Sequence, residues 1–120
     1  MMKKLPVLGL MAAAVSLLAH HSTAPYDMTR ATTVSGVVTK FYWANPHSFI
    51  YLEVSDAGGE VQHWELEIES LNRLRRLGWT KDTLKPGDQV SCTGARAKDA
   101  ASYRMKCFSV ELPNNRKLPS

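Results

Sequence analysis

Two strand-like runs flank the stretch WANPH, which occupies residues 43–47. The run TTVSGVVTKFY (32–42) precedes it, and SFIYLEV (48–54) follows it. Both runs are rich in β-branched and aromatic residues, a composition typical of strands. A tight hairpin would use Asn-Gly or Asp-Gly at such a junction. The stretch therefore predicts either a structural corner between two strands or a functional site that contains His47.

The next strand is predicted over residues 60–68, after a turn at Asp-Ala-Gly-Gly (56–59). Burying the apolar residues of the second and third strands on one face pairs Leu52 with Trp64. The opposite face is then amphipathic. A glycine at position 36 indicates a bulge or a sharp coil in the first strand.

A helix and two further strands complete the predicted order of elements. Ser70 can cap a helix whose leucines recur at positions 71, 74 and 77, and Gly78 can end it. Strands follow near residues 90–95 and 103–110, after a Lys-Pro-Gly-Asp turn at 85–88. We predict an all-β fold with one helix, a small five-stranded OB-like barrel of order β-β-β-α-β-β. An open α+β sheet with one helix is the competing architecture.

The N-terminus has the pattern of a secretory signal peptide. Lys3 and Lys4 precede an apolar run over residues 5–18, and Ala19 closes it. The run is short for a membrane span, which takes about 20 residues. We expect cleavage after Ala19, no membrane span after cleavage, and a periplasmic or secreted protein; an uncleaved anchor is the alternative.

Four segments follow from this pattern: a signal peptide (1–19), an N-terminal arm (20–31), an OB-like domain (32–112) and a flexible tail (113–120). Removal of residues 1–19 takes away Lys3 and Lys4, which leaves 13 of the 15 basic residues against 11 acidic ones. This near balance is weak support for nucleic-acid binding, so nucleic acid is an unlikely partner.

The two cysteines, Cys92 and Cys107, lie in the last two predicted strands. If these strands form a hairpin that pairs 92 with 107, a cross-strand disulfide can form, as is common in exported proteins. In that register Gly94 pairs with Met105. Two free buried thiols are the alternative.

Six ordered motifs run through the chain. They are His-His-Ser (20–22), Gly-x-Val (36–38), Trp-x-Asn-Pro-His (43–47), Trp-x-x-Glu (64–67), Leu-x-x-x-Gly-Trp (74–79) and Pro-Gly-Asp (86–88). In this combination the chain resembles a family of uncharacterised exported bacterial proteins, a domain of unknown function. The resemblance covers nearly all of the mature chain. It implies an exported OB-like domain without an established activity, and the cysteine pair is not part of the family pattern.

Cleavage after Ala19 would make His20 the first residue. Its α-amine, with a pKa of about 7.7–8, and its imidazole, near 6.5, would offer two nitrogen donors from one residue. A third nitrogen from His21, His47 or His63 would complete a set suited to Cu(II). This arrangement is similar to the amino-terminal histidine brace of secreted copper proteins.

Each of these histidines also has a simpler interpretation. The arm can be a flexible polar segment in which His20 and His21 have no role. His47 can hydrogen-bond the backbone of a turn. In the predicted register His63 lies opposite Glu53, where the two can form an exposed cross-strand pair.

An OB barrel binds oligonucleotides or oligosaccharides across its second and third strands. Phe49 and Tyr51 lie on the outer face of the second strand, and Trp43 lies at the corner before it, so these three are the candidate ligand-binding residues. The chain has no nucleophile elbow and no Gly-rich phosphate loop, and we expect no enzyme activity. We expect a non-catalytic exported binding or accessory protein that takes an envelope protein or a small ligand; copper binding is the alternative.

Overall fold

A computed structural model describes residues 23–120. These residues form six strands and one short helix: β1 (Thr32–Tyr42), β2 (Phe49–Ser55), β3 (Val61–Glu67), α1 (Leu71–Arg76), β4 (Gln89–Arg96), β5 (Arg104–Glu111) and β6 (Lys117–Pro119).

The first five strands close into a barrel. Strand β1 pairs with β2 along its second half and with β4 along its first half. Strand β3 pairs antiparallel with β2 and parallel with β5, and β5 also pairs with β4. The helix lies between the third and fourth strands, so the predicted OB-like barrel is confirmed.

The register of β2 and β3 is the predicted one. Leu52 pairs with Trp64, and Glu53 pairs with His63. The alternation of apolar and polar residues on both strands sets this register, because a slip by one residue would expose every core side chain. The inward side chains meet in one core: Val34, Val38, Ile50, Leu52, Trp64, Leu66, Ile68, Leu74, Trp79, Leu84, Val90, Cys92, Met105, Cys107, Val110, Leu112 and Leu118.

The bulge of β1 lies at Thr39, three residues after the glycine where it was expected. The pairing passes from Val38 with Leu52 to Lys40 with Tyr51, so Thr39 is the extra residue. Gly36 instead allows a close approach, since a Cβ there would collide with the carbonyl oxygen of Glu53.

Cys92 and Cys107 form the expected disulfide, but the predicted register of β4 and β5 is wrong. Cys107 pairs with Gly94, and Cys92 pairs with Val110. The pairing skips Phe108 between Thr93 and Gly94, and this bulge shifts the register by one residue. The observed partner of Cys107 lies two residues from the predicted one, and that of Cys92 lies three residues from it. The bridge therefore joins residues that are not direct partners, with Cα atoms 5.9 Å apart.

The stretch of residues 43–47 is a corner held by backbone and hydroxyl hydrogen bonds. The Asn45–Pro46 peptide bond is cis. The buried Ser48 hydroxyl accepts from the amide of Ala44 and donates to its carbonyl, at 3.0 Å each. The amide of Leu71 donates to the carbonyl of Ala44, which attaches the corner to the start of α1.

The helix has the predicted ends. The side chain of Ser70 accepts from the amide of Arg73 at 3.3 Å, and Leu74 is fully buried. Gly78 follows the helix with φ +95°, a conformation that favours glycine.

The C-terminal segment is not the predicted flexible tail. Lys117–Pro119 forms β6, which pairs with the end of β5. Leu118 enters the core, and the indole of Trp79 donates to the carbonyl of Pro119 at 2.8 Å. A turn with Asn115 at φ 65° reverses the chain, so a polar, proline-containing segment still adds a strand.

The expected signal peptide, residues 1–19, lies outside the described residues. Within residues 23–120, no helix has the length and apolar character that crossing a membrane requires.

Candidate functional site on the outer face of the barrel

The side chains that point away from the core on β1, β2 and β3 form two rows. In the first row, Lys40 pairs with Tyr51, which pairs with Glu65. In the second row, Tyr42 pairs with Phe49, which pairs with Glu67. We call these six residues the outer face.

The bulge at Thr39 creates the β1 part of the outer face. Without the extra residue, Val38 and Lys40 would share one side of the strand. With it, Val38 is buried in the core while Lys40 and Tyr42 point outward, and Phe41 packs against the core.

The first row is a chain of polar contacts. Lys40 Nζ lies 5.8 Å from the centre of the Tyr51 ring, and the Tyr51 hydroxyl lies 3.5 Å from Oε1 of Glu65. Oε2 of Glu65 forms an ion pair with Nε of Arg104, the first residue of β5, at 2.6 Å. Burial raises the pKa of Tyr51, and the charge of Glu65 acts in the same direction. Glu65 thus pairs with Arg104, and Lys40 adds a second positive charge that lies over the Tyr51 ring.

Three aromatic rings lie side by side on the outer face. The ring centres of Tyr42 and Phe49 are 6.5 Å apart, and those of Phe49 and Tyr51 are 6.4 Å apart. Tyr42 is 48% exposed, and the other two rings are partly exposed. Such a row offers apolar faces for stacking to a flat or cyclic ligand.

The second row ends at Glu67, a buried carboxylate with a polar neighbour at each oxygen. The hydroxyl of Tyr26 donates to Oε2 at 2.5 Å. Nδ1 of His47 lies 3.0 Å from Oε1. One side chain of β3 therefore joins the N-terminal arm to the corner before β2.

Tyr26 holds the arm against the barrel. It is buried, it forms a β-bridge with Ala97, and its amide donates to the carbonyl of Thr23 at 3.0 Å. Burial raises the pKa of Tyr26, and the hydrogen bond to Glu67 raises it further. The phenol thus stays protonated and continues to donate to Glu67.

The contact with Glu67 determines which nitrogen of His47 is free. A carboxylate only accepts, so this contact favours the tautomer in which Nδ1 carries the proton. In the neutral imidazole the other nitrogen, Nε2, then has a free lone pair. The side chain of His47 is 32% exposed, so a ligand can approach it.

The structure separates the two histidines that the sequence offered as alternative ligands. His63 is exposed and lies four residues from Glu67 on β3, which is about 13 Å along a strand. It lines a depression of about 400 Å³ together with Lys40, Tyr51 and Glu65. His47 and His63 therefore belong to different parts of the face, and His20 and His21 lie outside the described residues.

Trp43 is not part of the aromatic row. Its ring packs against Phe41 at 5.7 Å and lies 6.0 Å from the guanidinium of Arg75 in α1. The residue that extends the row is Tyr42, which sequence reasoning missed because the position of the bulge was not foreseen. Tyr26 was missed as well, although a lone aromatic residue in a polar arm is a signal for a buried anchor.

A complete metal site is not formed by the described residues alone. Within residues 23–120, no group of three or more His, Cys, Asp or Glu side chains is placed to hold a metal ion. Any metal bound through His47 must therefore take further ligands from elsewhere.

The model of the family of unknown function DUF6152 matches residues 8–105. The chain belongs to this family. The match spans most of the barrel of this DUF6152 chain, from β1 to the first residues of β5. No curated protein matches the chain in sequence.

Two solved structures of similar fold come from yeasts. The mitochondrial single-stranded DNA binding protein Rim1 of S. cerevisiae has a TM-score of 0.53 and 8% identity, covering 69% of this chain and 91% of that one. A chain of the S. pombe Stn1–Ten1 complex has a TM-score of 0.52 and 11% identity, covering 69% and 57%. At such low identity these likenesses show the OB fold and nothing about the ligand.

Proposed function

We propose that this protein is a non-catalytic, exported binding protein whose ligand is Cu(II), held between the mature N-terminus at His20 and the imidazole of His47. The signal-like pattern of residues 1–19 supports export, and the Cys92–Cys107 disulfide is consistent with an oxidising compartment.

The contact between His47 and Glu67 carries the proposal. Metal-binding histidines commonly donate their other ring nitrogen to a carboxylate, which orients the ring and selects the tautomer. Nδ1 of His47 has such a partner 3.0 Å away, and Nε2 is left for a ligand. Glu67 is itself held by Tyr26, so the carboxylate keeps its orientation.

Tyr26 supports the participation of His20. His20 precedes Tyr26 by six residues. The last part of that segment is a turn closed by the bond from the amide of Tyr26 to the carbonyl of Thr23, and the three residues before the turn can span about 10 Å. The anchor point of the arm and His47 share one carboxylate. We therefore place the N-terminus of the cleaved chain beside Nε2 of His47 in the proposed site.

A set of nitrogen donors favours Cu(II), because Cu(II) binds such ligands more tightly than the other divalent ions of the Irving–Williams order. The α-amine and imidazole of His20 would supply two nitrogens and His47 a third. In this proposal His20 and His47 hold the copper ion, and we assign no reaction to it.

The test compares two N-termini. The cleaved protein, with His20 as residue one confirmed by intact mass, is titrated with Cu(II) and followed by EPR. A matched form carries one extra residue before His20, which converts the amine into an amide. We expect tight binding, below about 1 µM, only for the cleaved form. Equal binding by both forms would exclude the amine as a ligand.

The exposed aromatic row supports a second candidate function. Tyr42, Phe49 and Tyr51 form a stacking surface. One basic residue, Lys40, and one acidic residue, Glu65, lie on either side of Tyr51. A neutral oligosaccharide fits such a surface better than a polyanion does, and OB barrels bind sugars across these strands.

A chito-oligosaccharide serves as the probe for this second candidate, followed by chemical-shift changes in NMR spectra. Tyr42→Ser should weaken binding, whereas Phe108→Ser, an exposed aromatic residue of β5, should not. An oligothymidine is the comparison, since Rim1 is a single-stranded DNA binding protein. Binding of the DNA but not of the sugar would favour a nucleic-acid ligand and contradict this candidate.

A further inference from the structure

A second cleft, away from the outer face, lies where the arm meets the loop between β4 and β5. Its volume is about 380 Å³. The residues that line it come from the arm, the start of β1, the end of β4 and the following loop: Asp27, Arg30, Thr32, Arg96, Ala97, Lys98 and Ala100.

Backbone hydrogen bonds hold the two sides of this cleft together. The amide of Asp27 donates to the carbonyl of Arg96 at 2.8 Å, and the amide of Lys98 donates to the carbonyl of Pro25 at 2.9 Å. The arm therefore runs beside the end of β4 as an additional paired segment. Side chains of the arm and of the loop therefore line the same cleft.

Three basic side chains and one carboxylate line the cleft. No carboxylate oxygen of residues 23–120 lies within 4.0 Å of a side-chain nitrogen of Arg30, Arg96 or Lys98. The single carboxylate, that of Asp27, accepts from the hydroxyl of Thr29 at 2.5 Å and from its amide at 3.1 Å. The cleft thus carries two positive charges in excess.

Arg96 is held in place before any ligand arrives. Its guanidinium carbon lies 4.9 Å from the centre of the Trp64 ring, and Nη2 donates to the carbonyl of Ala100 at 3.2 Å. Within residues 23–120, the buried Nε of Arg96 has no hydrogen-bond partner. An oriented guanidinium loses less conformational entropy when it binds an oxyanion.

We propose that this cleft binds a phosphate group, with Arg30, Arg96 and Lys98 as its ligands. A phosphate monoester carries about −1.5 to −2 charges at pH 7, which matches the excess charge of the cleft. Guanidinium groups recognise the oxygens of such an anion with paired, charge-assisted hydrogen bonds. The phosphate can be free in solution or belong to a lipid headgroup.

The experiment uses the cleaved full-length protein at low ionic strength. Inorganic phosphate is titrated calorimetrically, and co-sedimentation is measured with phosphatidylcholine vesicles with and without phosphatidate. The variant Arg30→Gln/Lys98→Gln removes two charges that are exposed and far from the core. The control Arg73→Gln/Arg76→Gln removes two exposed charges from α1.

We expect the Arg30→Gln/Lys98→Gln variant to weaken binding of phosphate at least about tenfold, and the control to change it by less than about twofold. Binding to phosphatidate vesicles alone, lost in the same variant, would support the same site with a lipid as the source. Equal weakening by the control variant, or no binding to either probe, would overturn the proposal. Copper titration of these variants reports separately on the proposed function, since neither pair includes a proposed copper ligand.

Discussion

Nδ1 of His47 lies 3.0 Å from Oε1 of Glu67, and this contact joins the corner before β2 to the end of β3. The other oxygen of the same carboxylate accepts from Tyr26, in the N-terminal arm. Three segments distant in sequence therefore meet at one buried side chain. The stability of the protein and the proposed copper site both depend on this junction.

Removal of the Tyr26 hydroxyl tests how much its hydrogen bond to Glu67 contributes to the stability of the protein. In Tyr26→Phe the buried carboxylate of Glu67 loses a hydrogen bond, which for a charged acceptor is worth about 1.5–3 kcal/mol. We expect the free energy of unfolding in urea to fall by about 2 kcal/mol. Tyr103→Phe is the matched control, because Tyr103 is 40% exposed. Equal stability of the two variants would show that the hydrogen bond contributes nothing.

The raised pKa of Tyr26 predicts a loss of stability at alkaline pH. An unfolded tyrosine loses its proton near pH 10.0, whereas burial and Glu67 keep Tyr26 protonated above that pH. Its contribution is complete below about pH 10 and is lost as pH rises through the folded pKa. The slope is at most about 1.4 kcal/mol per pH unit.

Urea unfolding at a series of alkaline pH values measures this effect in the wild type and in Tyr26→Phe. The difference in stability between the two proteins should shrink as pH rises above about 10. Tyr51, whose pKa is also raised, contributes equally to both curves. A difference that stays constant to high pH would contradict the assignment.

We predict that the disulfide stabilises the folded protein by closing a loop. Cys92 and Cys107 are 15 residues apart, and closing a loop of that length contributes about 3 kcal/mol in the chain-entropy model. Cys92→Ala/Cys107→Ala should lower the free energy of unfolding by about this amount, and reduction of the wild type should lower it similarly. Unchanged stability after reduction would contradict this account.

Much of the barrel was predictable from local pattern. The bounds of β1 and the pairing of Leu52 with Trp64 follow from alternation of apolar residues, and Ser70 and Gly78 mark the helix ends by their backbone chemistry. These features depend on neighbours in sequence or on a single buried face.

The bulges and the contacts between segments distant in sequence were not predictable in this way. The bulges at Thr39 and Phe108 depend on how neighbouring strands coil around the core, and each changes which residues face outward or pair. The contact of Tyr26 with Glu67 spans 41 residues, so no local pattern reports it. Tyr42 therefore belongs to the outer face and Trp43 does not, and the contact of His47 with Glu67 was likewise not foreseen.

The most direct test of the account is the Cu(II) affinity of the cleaved protein with either histidine of the barrel removed. His47→Ala removes the proposed third nitrogen. His63→Ala removes an exposed histidine that lies about 13 Å from Glu67 along β3. We predict that His47→Ala weakens Cu(II) binding at least about tenfold, or about 1.4 kcal/mol, and alters the EPR spectrum. His63→Ala should leave both unchanged. Identical affinity and spectra for the wild type and His47→Ala would contradict the proposed site.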